Sequence, residues 1–415
     1  MQLEKIFYDV IVIGGGASGM MAAYVAASNH KNVLLLEKNM QLGKKVSISG
    51  GGRCNITNDE KDVRTFLRHY GKSAPYLFSS FAQFGVQDTI NFFTSHGLPL
   101  ITQGLGRMFP ESERASDVVS TFKKLLREKN VAIRTNCSVL HVVLHGQTIS
   151  EVKTTNGSFM GNVIILATGG ISHPETGSTG DGFGWLSDLG HTVTKPTPTI
   201  VPIGVKERWV KKNAGKKLEN IKITIYHNDI KQFVKRGTVL LTHFGLSGPM
   251  ILNSAEAIQP LLKTGKVTGT IDLFPDEDEG TLSKRVLAYF DTNKNKQLKT
   301  ILKEITPPGI AHAIELLLPD VDTTTQINSI RKDYRKSLLT LFKALPITVT
   351  RLMGEDRAVA ADGGVSLTEI DMRTMHSKKI TNLFVTGDLL NINRPSGGYS
   401  LQLCWTTGYI AGIHA

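Results

Sequence analysis

The stretch Gly14-Gly15-Gly16-Ala17-Ser18-Gly19 follows directly on an apolar, β-branched run, Tyr8 to Ile13, and leads directly into Met20 to Ser28, which is rich in Ala and Met. A buried strand that turns at once into a helix has few solutions, and G-x-G-x-x-G is one of them. Gly14 permits the tight turn, Gly16 lets a pyrophosphate approach the backbone, and Gly19 allows the helix to pack closely on the strand. The helix start offers free N–H groups and the positive end of its dipole to phosphates. Val33 to Leu36 reads as a second buried strand, and it ends in Glu37. The segment is therefore a complete βαβ unit. An acidic residue at that strand end accepts hydrogen bonds from adenosine ribose hydroxyls and disfavours a 2′-phosphate. The pattern predicts a bound dinucleotide, FAD or NAD rather than NADP.

Two more strand ends separate FAD from NAD. Thr381 to Asp388 (TNLFVTGD) is a buried strand running into Gly387-Asp388, and Val163 to Leu166 runs into Ala167-Thr168-Gly169-Gly170. In flavoproteins of the two-dinucleotide type a terminal Asp of this kind receives a hydroxyl of the flavin ribityl chain, and an NAD dehydrogenase needs neither feature. The cofactor expected is non-covalent FAD. No second fingerprint follows a strand, so NADH or NADPH is expected only as a transient donor.

At 415 residues the chain exceeds the roughly 250–300 at which a single core stops growing. The expected fold is α/β: a discontinuous, Rossmann-like three-layer FAD-binding domain from residues 1–194 and 343–415. Between them, 195–342 is read as an insert, with a small β-barrel at 195–278 and a helical part at 279–342. The proline-rich stretch 195–205 marks the crossover. Residues 40–58 read as a glycine-rich loop and 62–97 as helical. Net charge is +12, and from Lys195 to Leu240 eleven Lys/Arg stand against three Asp/Glu. Such a patch suits an acidic partner, although a solvated basic face is the plainer reading. Cys54, Cys137 and Cys404 are too few and too odd in number for a disulfide framework. With neither a signal peptide nor a run of about 18 apolar residues, a cytoplasmic protein is expected. No metal-ligand motif occurs.

Five motifs together are more specific than the fingerprint: GGGASG; Ser49 to Asn58 (SGGGRCNITN); Ala167 to Gly182 (ATGGISHPETGSTGDG); Thr242 to Pro249 (THFGLSGP); and Gly397-Gly398-Tyr399 followed by Gly408. On these the chain resembles the bacterial BaiN-like NAD(P)/FAD-dependent oxidoreductases, which include aminoacetone-oxidase-like members. The resemblance implies the same two-part architecture. The expected cofactor contacts are Gly14, Gly16, Ala17, Ser18, Gly19, Glu37, Lys38 and Lys44; Ser49, Gly50, Gly51, Gly52, Arg53, Cys54 and Asn55; Val139, Ala167, Thr168 and Gly169; and Gly387, Asp388, Gly397, Gly398, Tyr399 and Ser400. Arg53 is expected as a fixed cation in a loop lying against the flavin. Cys54 and Cys404 are read as packed residues rather than redox thiols, since neither has a CxxC partner. Trp185 and Tyr399 are candidates to flank the ring.

The catalytic residues are less determined. His243, His173 and Arg107 are the candidates: the histidines for acid/base work or anion binding, the arginine for a carboxylate or phosphate. The function expected is hydride transfer between flavin and a small organic substrate, driven by NAD(P)H and directed at a conjugated carbonyl compound. Oxygen-linked oxidation of a small amine or ketone, and modification of RNA suggested by the basic stretch, stay open.

Overall fold

The computed structural model describes residues 7–318, 320–354, 358 and 360–415. Two compact units emerge: Met1–Pro198 with Glu355–Ala415, and Thr199–Gly354.

The first unit is built on a parallel sheet. Strands Leu383–Val385, Gly157–Leu166, Phe7–Ile13, Val33–Leu36 and Ala132–Arg134 lie side by side in that order. Val33–Leu36 is buried at every position, as a strand covered on both faces must be. The register aligns the strand ends: Ile13 pairs with both Leu36 and Leu166, and Leu166 pairs with Val385. Each segment that leaves these strands therefore starts at one level, along the carboxyl edge of the sheet. The short strands His376–Ser377 and Ile370–Asp371 extend the sheet antiparallel beyond Leu383–Val385. Val139–His145 and Thr148–Thr154 form an antiparallel hairpin against Gly157–Leu166.

The helix after the fingerprint, Ala17–Ser28, is buried at ten of its twelve positions. Its main neighbour is the closing helix Tyr399–His414, also buried through most of its length. Two glycines one turn apart explain how closely these helices meet. A Cβ on Gly408 would lie 2.4 Å from the Ser18 carbonyl oxygen, and one on Gly412 would lie 2.6 Å from that of Ala22. The last helix of the chain is thus seated on the first turn of the fingerprint helix.

Two expectations for this unit need correction. Residues 40–58 are not simply a loop, because Lys44–Gly52 is assigned as helix, although Ser49, Gly50 and Gly51 leave helical geometry. The span 62–97 is three helices, Val63–Arg68, Ala74–Gln83 and Val86–Ser95. Phe84 is extended, and Gly85 caps the last of the three.

The second unit contains a closed antiparallel barrel of six strands: Ile203–Val205, Gly245–Ser247, Ile230–Leu241, Lys217–His227, Val267–Asp272 and Leu345–Leu352. Its core holds Ile223, Ile225, Val239, Val267, Ile347 and Val349. The helices Glu279–Thr292, Leu298–Ile305, Ile310–Leu317 and Lys332–Lys343 belong to the same unit and add Phe290 and Phe342 to that core. Leu345–Leu352 pairs with Val267–Asp272 on one side and with Ile203–Val205 on the other, and so closes the barrel. The chain accordingly changes unit at 198/199 and 354/355 rather than at the expected 194/195 and 342/343. The outward crossing still falls inside the proline-rich stretch.

Candidate active site

A pocket of about 1180 Å³, open solvent at its mouth included, lies along the carboxyl edge of the first unit's sheet. This is the place where open α/β sheets bind ligands, outside the carboxyl ends of the strands. Its floor is the set of segments that the register brings level: Gly14 to Ser18 after the first strand, Glu37 to Asn39 after the second, Ala167 to Gly169 after Leu166, and Asp388 after Val385.

The glycines divide by role. A Cβ on Gly14, at φ 109°, would meet the Ala167 carbonyl oxygen at 2.4 Å, and one on Gly19 would meet the Gly14 oxygen at 1.8 Å. Both let segments of the protein touch. Gly16 has nothing within 4 Å of such a Cβ. It faces open pocket at the start of the fingerprint helix, where the first-turn N–H groups have no helical acceptors.

Glu37 is 7% exposed, and protein donors hold it in place. Gly15 N–H donates to Oε2 at 2.8 Å, while the Asn39 backbone N–H and side-chain Nδ2 both donate to Oε1 at 2.7 Å. At the other end of the pocket Asp388 sits between two cations, Arg394 at 2.8 Å and Lys45 at 3.2 Å. Burial works to raise the Asp388 carboxyl, but the Arg394 guanidinium and the Lys45 ammonium outweigh it and hold it at about 2. Arg394 is 1% exposed, so the pair fixes a full charge inside the protein.

Two buried hydroxyls of pocket-lining residues, Thr168 Oγ1 and Ser400 Oγ, have no hydrogen-bond partner among the described residues. Buried polar atoms normally do. Neither oxygen is solvent-accessible, and Thr168 Oγ1 faces Gly182, where a Cβ would lie 2.3 Å from it, so neither is presented at the pocket surface.

Of the expected contacts, the pocket wall contains Gly14, Gly16, Ala17, Ser18, Glu37, Lys38, Lys44, Ser49, Val139, Ala167, Thr168, Gly169, Asp388 and Ser400, together with Trp185. The others stand behind it. Gly19 and Gly387 are packing positions: a Cβ on Gly387 would lie 2.8 Å from Ser18 Oγ. Gly397 and Gly398, at φ 117° and 105°, turn the chain into the closing helix, and a Cβ on Gly398 would lie 2.3 Å from the Thr57 backbone. Gly50 packs on the Asn55 backbone, while Gly51 and Gly52 are unobstructed but outside the wall. Asn55 is likewise outside it. Tyr399 stacks among His69, Phe66 and Tyr70, with ring centroids at 4.3, 4.8 and 6.3 Å.

Arg53 has several partners within the protein. It pairs with Glu113 at 3.2 Å, donates to Gln103 at 2.9 Å and lies over the Phe109 ring at 4.3 Å. Cys54 is buried, and burial pushes its thiol up to about 12 against a hydrogen bond with Ser49, so it is no thiolate nucleophile. Cys404, expected in the core, is buried but forms part of the pocket wall.

Of the three catalytic candidates, His173 and Arg107 belong to the first unit and His243 to the second. His173 Nδ1 contacts Glu175 at 2.8 Å, three residues before Thr176 enters the pocket wall. Arg107 Nε donates to the Gly104 carbonyl at 2.9 Å, within its own turn. His243 is an exposed residue of the second unit. None of the three lines the pocket.

Several wall residues escaped the sequence reading: Asn39, Lys45, Thr176, Gly177, Ser178, Asp181 and Leu401. Leu401 and Cys404 had a readable signal, since positions 400, 401 and 404 share one face of a helix. The Thr176–Ser178 segment lies within the motif Ala167 to Gly182, but nothing local singles out these residues as pocket wall. It is held by the Asn39 side chain, which donates to Thr176 O at 2.9 Å, and by Lys38, which reaches Asp181 at 2.7 Å.

Comparison with known proteins follows the same outline. The family described as HI0933-like protein Rossmann domain matches residues 8–414, and the chain belongs to it, a family of FAD-dependent oxidoreductases. It is 28% identical over 404 residues to a 3-dehydro-bile acid delta(4,6)-reductase of Clostridium scindens, covering 97% of each chain. It is 28% identical over 419 residues to a ribosomal RNA dihydrouridine synthase of Escherichia coli, covering 97% of this chain and 96% of the other. Among solved structures, the open conformation of a flavocytochrome c3 fumarate reductase aligns with a TM-score of 0.56 at 15% identity. That alignment covers 100% of this chain and 78% of the other, a likeness of fold.

The Asp388 cluster predicts a specific acid response. The folded protein holds this carboxyl at about 2, whereas unfolding returns it to the ordinary range near 3.9. The stabilisation is therefore complete above about pH 4 and is lost as pH falls toward 2. In flavin-stripped protein, the decline of melting temperature between pH 5 and 3 should be shallower in Asp388→Asn than in the unmodified chain. Parallel declines would show that the cluster does not contribute.

Proposed function

We propose that this chain is an FAD-dependent reductase of a carbon–carbon double bond conjugated to a carbonyl, with NADH or NADPH as electron donor. The observation that carries the cofactor assignment is the pocket at the aligned strand ends, with the helix start at Gly16 open to it and the Glu37 and Asp388 carboxylates fixed in its wall. Residues Gly16 to Ser18 would face the pyrophosphate, Glu37 an adenosine ribose hydroxyl, and Asp388 the ribityl chain. Bound there, FAD supplies a centre that accepts and delivers a hydride. The protein's part is to orient it, to exclude water from its buried side, and to keep charge near it fixed. Asp388, ionised between Arg394 and Lys45, needs no proton exchange during turnover.

The substrate class rests on the relatives. The Clostridium scindens protein is named for reducing a delta(4,6) bond system of a 3-dehydro-bile acid, and the Escherichia coli protein for converting uridine to dihydrouridine. In a 3-oxo steroid and in a uracil ring alike, the double bond lies in conjugation with a carbonyl. A common bond type thus links two very different molecules. The three free cysteines are all buried, which suits a reducing cytosol.

An anaerobic absorbance titration tests this reading. The flavin band of the purified protein should bleach at about one equivalent of NADH or NADPH and return on addition of a cyclic enone. A bound flavin that neither nicotinamide reduces would defeat the reductase assignment and favour oxygen-linked oxidation of an amine or ketone.

One observation favours the RNA member of that pair. In the second unit Lys206, Arg208, Lys211, Lys212, Lys216, Lys217, Lys231 and Lys235 are exposed, and none takes part in an ion pair among the described residues. Lys222 and Arg236, by contrast, are paired with Asp272 and Asp276. A surplus of unpaired cations suits a phosphate backbone and makes binding salt-dependent. Fluorescence anisotropy with ribosomal RNA should show affinity that falls steeply between 50 and 200 mM salt. Replacing Lys211, Lys212, Lys216 and Lys217 together by Glu should weaken it tenfold or more. No binding at 50 mM salt would exclude an RNA substrate.

A further inference from the structure

The acceptor sites of Glu37 can be counted. A carboxylate oxygen offers two lone-pair sites. Oε1 takes two donors, the Asn39 backbone N–H and the Asn39 Nδ2, each at 2.7 Å. Oε2 takes one, the Gly15 N–H at 2.8 Å. Oε1 is therefore saturated by Asn39, and the remaining capacity lies on Oε2. The Asn39 Nδ2 also has two hydrogens, and its second acceptor is the Thr176 carbonyl at 2.9 Å, 137 residues further along the chain. Glu37, Asn39 and Thr176 all belong to the pocket wall, as do Gly177 and Ser178. Gly177, at φ 100°, is fitted against this amide: a Cβ there would lie 2.5 Å from Asn39 Nδ2.

The geometry points to Asn39 as a positioning residue for the adenosine half of the cofactor. A single amide nitrogen orients the ribose-binding carboxylate and tethers the Thr176–Ser178 segment that forms the pocket wall beside it. Two consequences follow. Glu37 presents one oxygen rather than two to the ribose, so it engages one hydroxyl through Oε2. And cofactor retention depends on a residue whose side chain need not touch the flavin. This inference rests on the FAD reading above and adds to it the part that holds the nucleotide end.

Asn39→Asp is the sharpest test because it is isosteric. Packing is conserved, both side-chain donors are lost, and a second carboxylate faces Glu37. Asn39→Ala removes the tether without adding charge. Flavin-stripped protein is titrated with FAD, and the visible spectrum of each saturated variant is recorded along with the melting temperature of its stripped form. The FAD dissociation constant should rise at least tenfold in Asn39→Ala, the scale expected for losing a hydrogen bond to a charged group, and further in Asn39→Asp. The spectrum of the saturated variants should match that of the unmodified protein, since the ring end is untouched. A role confined to folding would instead lower the stripped-protein melting temperature with little change in affinity. Unmodified protein that takes up no FAD would sink the cofactor reading itself. Unmodified protein that binds FAD, with Asn39→Ala binding equally well, would overturn this inference alone, even if Asn39→Asp were weakened by charge.

Discussion

The site depends on one constraint, the register of the parallel strands. Ile13, Leu36, Leu166 and Val385 end at a common level because backbone hydrogen bonds pair them there. The residues that follow, Gly14, Glu37, Ala167 and Thr386, are thereby assembled along one edge from positions as far apart as 14 and 386 in the chain. A slip of one residue in any pair would turn its side chains to the other face. The close approach of Gly14 to Ala167, and of Gly408 and Gly412 to the fingerprint helix, locks this edge from behind. Cofactor geometry in this protein is thus a consequence of backbone packing before any side chain acts.

On that edge the protein keeps its charges preorganised. Glu37 has three N–H donors, and Asp388 has two cations, one of them buried almost completely. Holding a buried arginine costs desolvation, and the ion pair offsets that cost only while the geometry is maintained. The gain is that neither carboxylate has to reorganise when a ligand arrives. Fixed carboxylates and the open helix start at Gly16 together describe a surface complementary to a polyhydroxylated, phosphorylated ligand.

Much of this was legible in the sequence, and the boundary of what was not has a physical cause. The fingerprint, Glu37, the ATGG turn and Gly387-Asp388 each sit at the end of a short buried strand, so local pattern places them. The helical part at 279–342, with its helices Leu298–Ile305 and Ile310–Leu317, was readable from composition. Partners that arrive through tertiary packing were hidden. That Arg53 pairs with Glu113, sixty residues on, has no local sign. Leu345–Leu352 reads as the return to the first unit, because nothing local tells that its neighbours are Val267–Asp272 and Ile203–Val205. Asn39, two residues from a recognised motif, carried no signal, since its importance comes from a carbonyl at residue 176.

The central claim is that the aligned strand ends bind FAD through both its adenosine and its flavin ends. Calorimetric titration of flavin-stripped protein with FAD, FMN and NAD tests it most directly. One FAD should bind per chain, with FMN and NAD each at least a hundredfold weaker, because FMN lacks the adenosine and NAD the flavin and its ribityl chain. Equal affinity for FMN, or tight binding of NAD with no uptake of FAD, would contradict it.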